Sequence, residues 1–375
     1  MSAPMDGIRI LDFSRVLAGP FATMHLADMG ADVVKVERPG QGDDTRSFGP
    51  PFSQGVSTYF LAVNRGKRSI VLDLKTSEGV RMARELAAKA DVVIENFRPG
   101  VMERLGLGSD VLRADNPKLI YCSISGFGKG KNRAGYDLVV QGMGGIPALT
   151  GAPEGAPAKC GASIADLVTG LYAVQSILAA LLRRESTGLG AVIDVPMIDG
   201  QVALLTYHAS GLLNGGSSPK RLGNHHPSIH PYGTYRADDG FLNIAVGNDK
   251  LFVAFSEAIG SPEWAADTRF AKNANRVANR EALDPLIEEA LKGRTVEGWC
   301  DALNQAGVPA GPINSVAEAV QLVDLVSHPH PSGQGDVITA PLPFKMDGAP
   351  RSADLPPPVL GAHSTEVLQD WLKPD

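Results

Sequence analysis

One carboxylate carries the chemistry most plainly. Asp166 opens a run, 167–182, that reads as a long and almost wholly apolar helix, closed by Arg183, Arg184 and Gly188. An isolated Asp at a helix start is ordinarily an N-cap. Small residues around it (Gly161, Ala162, Ser163, Ala165, Gly170) leave room for a ligand instead. At the edge of a buried helix, beside the positive end of its dipole, a carboxylate is held ionised, as a nucleophile must be. Taken alone, the residue permits both readings.

A second set is basic. Between Arg98 and Arg133 seven basic residues, Arg104 and Lys129 among them, face only three acids. Arg38, Arg65, Lys67 and Arg68 precede them. Several fall just past the C-terminal ends of expected strands, the edge where open α/β sheets bind ligands. A positive rim on a protein of net charge -6 suits a phosphorylated ligand and argues against general nucleic-acid binding. No phosphate-cradling Gly-x-x-x-x-Gly-Lys loop is present, which disfavours ATP or GTP. His225, His226 and His230 cluster on a Pro-rich loop with no accompanying acid or Cys, so a metal site is not expected there. They are expected instead as acyl- or acceptor-pocket residues. Cys122, Cys160 and Cys300 sit far apart and read as ordinary thiols of a reducing compartment.

The elements that must position these groups alternate. Residues 8–13 read as a strand, 21–29 as a helix ended by Gly30, and 32–38 as the next strand, a βαβ unit that implies a parallel sheet. Glu37 at the end of the second strand suggests a dinucleotide site, but loop 14–20 lacks Gly-x-Gly-x-x-Gly. Further strands are expected at 69–73, 91–97, 118–125 and 191–196, with helices at 77–90 and 197–213. Composition shifts at 214–232, which reads as linker and loop. A hairpin over 233–246, helices over 249–260 and 280–306, a Gly/Pro break at 307–313 and a short helix near 364–372 follow. The fold class is therefore α/β: a Rossmann-like parallel-sheet large domain over 1–213, a linker over 214–224 and a small α+β domain over about 225–320. The N-terminus shows no signal pattern. The apolar run from Leu167 is interrupted by Thr169, Gly170, Gln175 and Ser176, so no membrane span is expected. Cytoplasm is the expected compartment.

Leu11-Asp12-Phe13-Ser14 with Ala18-Gly19-Pro20, Gly30 to Arg38, Asn64 to Ser69, Glu95 to Gly100, Gly135-Tyr136-Asp137 with Gln141-Gly142, Gly307 to Pro312, and Leu360-Gly361-Ala362-His363 occur in an order and spacing that resembles the class III CoA-transferases. The resemblance covers nearly the whole chain. It implies that about 321–375 completes the large domain, that the chain forms an interlocked homodimer, and that Asp166 is the nucleophile. It implies CoA contacts at Val16, Leu17, Arg38, Leu72, Asn96, Phe97, Met102 and Arg104. Gly19, Tyr136 and Asp137 are expected at the substrate pocket or oxyanion site. The implied reaction moves CoA from an acyl-CoA thioester to a carboxylic acid through mixed-anhydride and aspartyl-CoA thioester intermediates, with CoA as substrate and no tightly bound cofactor. Formyl-CoA transferases carry a glycine run where this chain has 222–233, and a basic CoA contact where it has Ala134, so formyl specificity is not expected. The α-methylacyl-CoA racemases share the fold but carry a histidine at the place of Tyr136. A tyrosine, with a pKa near ~10, is a poor general base at neutral pH, which favours transfer. A CoA-binding protein without activity ranks last, because the acid is present.

Overall fold

The structure, a computed structural model, describes residues 3–131, 133–347, 349–350 and 352–373. The chain forms two compact units. The large one takes residues up to Ile146, Lys159–Gly216 and Val323 onward; the small one takes Pro147–Ala158 and Ser217–Leu322.

The large unit runs β1 (Arg9–Asp12), α1 (Ala18–Asp28), β2 (Asp32–Glu37), β3 (Lys67–Val71), α2 (Ser77–Ala88), β4 (Val92–Glu95), β5 (Ile120–Ser125), α3 (Asp137–Met143), α4 (Ile164–Thr187), β6 (Val192–Pro196), α5 (Met197–Leu204) and α6 (Thr206–Leu213). The six strands pair in parallel in the order β3-β2-β1-β4-β5-β6. A parallel sheet is covered on both faces, so its strands are apolar without alternation. Ile10, Leu11, Val33, Val34, Val93 and Ile94 are accordingly buried. α1 and α4 cover one face; α2 and the C-terminal helix cover the other. The strand order reverses between β1 and β4. That junction opens a crevice at the C-terminal strand ends, and the loops after β1 and β4 are its walls.

Helix α4 spans 24 residues, longer than the apolar run that marks it. Its polar residues do not interrupt it. The Thr169 hydroxyl donates to the Ala165 carbonyl (2.6 Å) and the Ser176 hydroxyl to Ala173 (3.0 Å), bonding back onto the helix itself. By length and composition alone α4 could cross a membrane, contrary to the sequence expectation. Its inner face, with Ala165, Val168, Ala173 and Ile177, is packed in the core. Leu171, Tyr172, Leu178 and Leu182 on the other face are exposed. At Gly170 the helix meets α1 so closely that a Cβ would sit 2.8 Å from the Ala18 carbonyl oxygen. The helix expected over 197–213 is two, parted at Leu205.

In the small unit, β7 (Tyr232–Arg236), β8 (Phe241–Ala245) and, after helices α7 (Asp249–Ala258), α8 (Arg280–Ala290) and α9 (Val296–Gln305), β9 (Ala310–Pro312) form an antiparallel sheet in the order β9-β8-β7. Phe252, Phe255, Phe270 and Leu283 fill its core. The single helix expected over 280–306 is broken where Gly293 takes φ 82°.

The chain then returns to the large unit as a hairpin, β10 (Val326–Pro329) and β11 (Asp336–Thr339), and the terminal helix α10 (Ser364–Trp371). Three cations read from the sequence as rim residues prove to be internal fasteners. Arg65 binds Asp28 through two nitrogens (3.0 and 2.6 Å) and reaches the Thr339 hydroxyl. Arg68 pairs with Asp32, Glu366 and Asp370, docking α10 on the sheet. Lys67 is wholly buried. His363 extends the edge of β3: its ring accepts from the Ser69 N–H (3.1 Å) and its own N–H donates to the Ser69 carbonyl (3.0 Å).

The α1–α4 crossing generates a direct test. Gly170→Val places methyl groups against the Ala18 carbonyl and the Phe21 ring, and is expected to lower stability by about 1–3 kcal/mol in urea unfolding. An unchanged midpoint would show that the crossing is not close-packed.

Candidate active site

The loop after β1 is pinned from below by buried charge. Asp12, the last residue of β1, accepts from the Ser14 N–H (2.8 Å) and hydroxyl and from the Thr23 hydroxyl (2.6 Å). Lys67 lies 3.4 Å from the same carboxylate. Lys35, from β2, donates to the Ser14 carbonyl (2.8 Å) and pairs with Asp43 (2.8 Å). Burial would raise the Asp12 carboxyl, but Lys67 and Lys35 outweigh it and hold it below the usual range. Asp43 falls to about 2 because Lys35 likewise overcomes burial. For Lys67 burial wins, and its pKa drops to about 7.

From above, the loop after β4 clamps it. The Asn96 side chain accepts from the Arg15 N–H (2.9 Å) and donates to the Arg15 carbonyl (2.7 Å). The next residue, Val16, is held at φ 70° while its N–H donates to Asp43 (3.2 Å). A β-branched residue avoids this region, so the backbone is strained here and the contacts on both sides over-determine it. Asn96, expected as a CoA contact, thus spends its amide on the loop. Leu17 and Ala18 then start α1, whose first N–H groups have no helical acceptors.

Asp166 is not the N-cap of α4. It lies in the first turn, after Ser163 at the cap position, and Ser163 makes no capping bond. The cap comes from elsewhere: Asp137, at the start of α3, accepts from the Ala165 N–H (2.9 Å). Gln141 fixes Asp137 by donating to its other oxygen (2.8 Å), and itself accepts from the Cys160 N–H (2.9 Å). The Asp166 carboxylate is left free to face the crevice. Burial chiefly, and Asp137 second, push its pKa up to about 7. The sequence expectation that the helix end keeps it readily ionised is therefore corrected: burial and the neighbouring Asp137 charge favour the protonated form.

A cavity of about 160 Å³ surrounds this carboxylate, lined by Val16, Leu17, Asn96, Phe97, Tyr136 and Asp166 from the expected set. Arg15, Arg98, Arg133 and Met197 line it as well, and of these Arg15 and Met197 were not singled out by the sequence. Among the described residues no carboxylate pairs with Arg98 or Arg133; Arg133 lies over the Phe127 ring at 4.8 Å. A second cavity of about 350 Å³ holds Arg38, Leu72 and Phe97, with Arg15 and Phe97 common to both. Arg38 is half-exposed and paired with Asp44 (2.5 Å). Met102 is core and lines a third cavity beside Glu95. Burial raises Glu95 to about 7. Arg104 is exposed and lines none of the three. Gly19 is buried behind the wall, where a Cβ would meet the Ser14 side chain at 2.2 Å.

The three histidines belong to the small unit. His226 accepts from the Ser228 N–H (3.1 Å), folding the loop on itself. His230 is wholly buried, and burial, then Arg280, lowers its pKa to about 3. The acid missing from their neighbourhood in sequence is supplied in space. Asp284 of α8 lies 3.8 Å from His225 Nε2 and 3.2 Å from His230 Nε2.

The chain is similar to known proteins along nearly its whole length. Residues 5–364 match CoA-transferase family III. The chain is 41% identical to a mouse succinyl-CoA:glutarate CoA-transferase, covering 99% of this chain and 87% of that one. It is 44% identical to a succinate–glutarate CoA-transferase of Agrobacterium fabrum (98% and 95% covered) and 44% identical to an acetyl-CoA:oxalate CoA-transferase of Acetobacter aceti (92% and 90%). Among solved structures, a CAIB/BAIF family protein from Brucella suis superposes with a TM-score of 0.86 at 44% identity, covering 99% of this chain and all of the other. With a carboxylate set in a crevice at the sheet's switch point and a family match over nearly its full length, this chain belongs to CoA-transferase family III.

Proposed function

We propose that the Asp166 carboxylate carries the CoA transfer and that the acids exchanged are dicarboxylates. The observation that carries the first part is the placement of Asp166: its N-capping duty is taken over by Asp137, and its oxygens share a cavity with the unsatisfied N-terminal end of α1. The carboxylate attacks the thioester carbonyl and the C–S bond breaks. This leaves a mixed anhydride and the CoA thiolate. The thiolate attacks the aspartyl carbonyl of the anhydride, giving an aspartyl-CoA thioester and releasing the first acid. The acceptor carboxylate attacks that thioester, the thiolate leaves, and it then attacks the acceptor's acyl carbon, regenerating Asp166. Every bond made resembles one broken, so neither metal nor redox chemistry is required. Each tetrahedral intermediate bears an oxyanion, and the N–H groups of Leu17 and Ala18 are suited to receive it. The cavity containing Arg38, Leu72 and Phe97 suits the adenine end of CoA, with an apolar face and a guanidinium for phosphate.

The dicarboxylate reading rests on Arg98 and Arg133, two exposed arginines that line the cavity holding Asp166 and that no carboxylate of the described residues neutralises. A second carboxylate on donor or acceptor would pair there. The names of the relatives above, with succinyl and glutarate among their substrates, point the same way. The exposed apolar face of α4, continued by Val202 and by Leu213 (81% exposed), supports a homodimer that covers it.

Four outcomes are expected. Asp166→Ala abolishes transfer while CoA binding persists. In the native protein kcat/KM rises with pH through about 7, since only the ionised acid attacks, and Asp137→Asn shifts that midpoint to lower pH by removing the neighbouring negative charge. A profile flat across neutral pH would contradict the assignment. Arg133→Met and Arg98→Met raise KM for a dicarboxylate acceptor by about tenfold or more but change KM for a monocarboxylate little; equal losses for both would assign these residues to CoA instead. Sedimentation of the native chain gives a dimer mass, whereas Leu178→Glu with Leu182→Glu gives monomer; a native monomer would refute the covered face.

A further inference from the structure

Outside the transfer site, the small unit holds a group of side chains with an unmet requirement. His230 is fully buried, and neither ring nitrogen has a hydrogen-bond partner. His225 Nδ1 is in the same condition. A buried polar atom left unpaired loses the hydrogen bonds it had to water with nothing in return. Yet the group is not loosely held. The His230 N–H donates to the Asn273 side chain (3.1 Å), and its carbonyl accepts from Arg276 (2.7 Å). Opposite stands Asp284, oriented by the Tyr235 hydroxyl, which donates to it (3.1 Å).

The ligand-capable atoms of His225, His230 and Asp284 lie within 4.8 Å of one another. Ligands about 2.0–2.1 Å from one ion, arranged tetrahedrally, are about 3.4 Å apart. His225 Nε2 lies 3.8 Å from one oxygen of Asp284 and His230 Nε2 3.2 Å from the other, spacings on either side of that value. The His230 Nε2 is close to the carboxylate yet misaligned for a hydrogen bond, as expected where both point toward a common centre rather than at each other. Two imidazoles and one carboxylate are the donor set of zinc and neighbouring divalent transition ions, not of magnesium or calcium. His225 and Asp284 keep partial exposure, 28% and 22%, which leaves a side for entry and for a water in the fourth position.

From this geometry we propose that His225, His230 and Asp284 form a divalent transition-metal site, with zinc as the fitting ion, that ties loop 224–232 to helix α8. The charges around it set its strength. Arg276 is neutralised by Asp249 (2.9 Å), and Glu288, one turn beyond Asp284, adds a negative field. Arg280 opposes the ion, its guanidinium being held near by the His226 carbonyl (2.6 Å). The balance favours moderate affinity over the near-irreversible binding of a four-ligand cage. The Tyr235 hydroxyl donates to the Asp284 oxygen that also faces His230, holding the carboxylate in place as outer partners of metal ligands do.

The test uses the full chain, stripped with a chelator and titrated with Zn2+ alone against a chromophoric competitor, and separately with Co2+. The native protein is expected to take up one Zn2+ per chain, to show the intense visible absorption of low-coordinate Co2+, and to unfold at higher temperature with Zn2+ than without. Asp284→Asn keeps the shape and the Tyr235 contact but is a poor ligand, and His225→Ala removes a partly exposed ring. Each should weaken Zn2+ at least tenfold and erase both the absorption and the thermal shift, while circular dichroism stays native. Native protein that binds Zn2+ no better than these two variants, or variants that keep the Co2+ spectrum, would overturn the site.

Discussion

Everything at the crevice depends on a small set of charges buried under the loop after β1. Asp12, Lys35, Lys67 and Asp43 are all buried, and taking such ions out of water offsets much of what their pairing returns. Pairing keeps Asp12, Lys35 and Asp43 in their charged forms, but at Lys67 burial wins and brings the pKa down to about 7. The cluster is therefore poorly explained as a source of stability. It makes sense as a device for conformation. Lys35 grips the Ser14 carbonyl, Asp12 grips its N–H and hydroxyl, and Asp43 takes the N–H of Val16, so that a valine stays in left-handed backbone with Asn96 closing the loop from the other side. Strain of about 1–3 kcal/mol persists only where surroundings leave no alternative. What it secures is the direction of α1, whose bare N-terminal amides face the crevice.

The same division of labour places the proposed nucleophile. Asp137, from a separate helix, caps α4, and so Asp166 can turn outward from the first turn. The approach of α1 to α4 at Gly170 sets the amide end and the carboxylate side by side. Burial then raises the carboxyl to about 7. A carboxylate of ordinary acidity is a weak nucleophile; one that is desolvated and more basic attacks a thioester more readily, while remaining ionised in useful amount near neutral pH.

Much of this was legible in the sequence. Apolar runs without alternation marked the parallel strands, and the βαβ alternation marked the sheet class. The small residues before a long apolar helix marked Asp166. What stayed hidden depended on partners distant in the chain. A string of residues cannot tell that Arg65, Lys67 and Arg68 are fastened to acids of β1, α1 and the C-terminal helix, so they read as surface cations beside Arg98 and Arg133, which do reach the cavity. It cannot show that Asn96 is occupied by the Arg15 backbone, that Arg104 lines none of the three cavities, or that the cap of α4 comes from Asp137. Nor could it supply His225 and His230 with Asp284, which only the packing of α8 against the loop brings near. Thr169 and Ser176, which interrupt the apolar run of α4, bond back to their own helix carbonyls, and such bonds are invisible in composition.

The central claim is that CoA is held covalently on Asp166 between donor and acceptor. The most direct measurement incubates the protein with succinyl-CoA, without acceptor, reduces with borohydride, and maps the product by peptide mass spectrometry. Asp166 alone is expected to be converted to the corresponding alcohol, and only when donor is present. Donor-dependent transfer with an unmodified Asp166, or reduction mapped to Glu95 or another carboxyl, would contradict it.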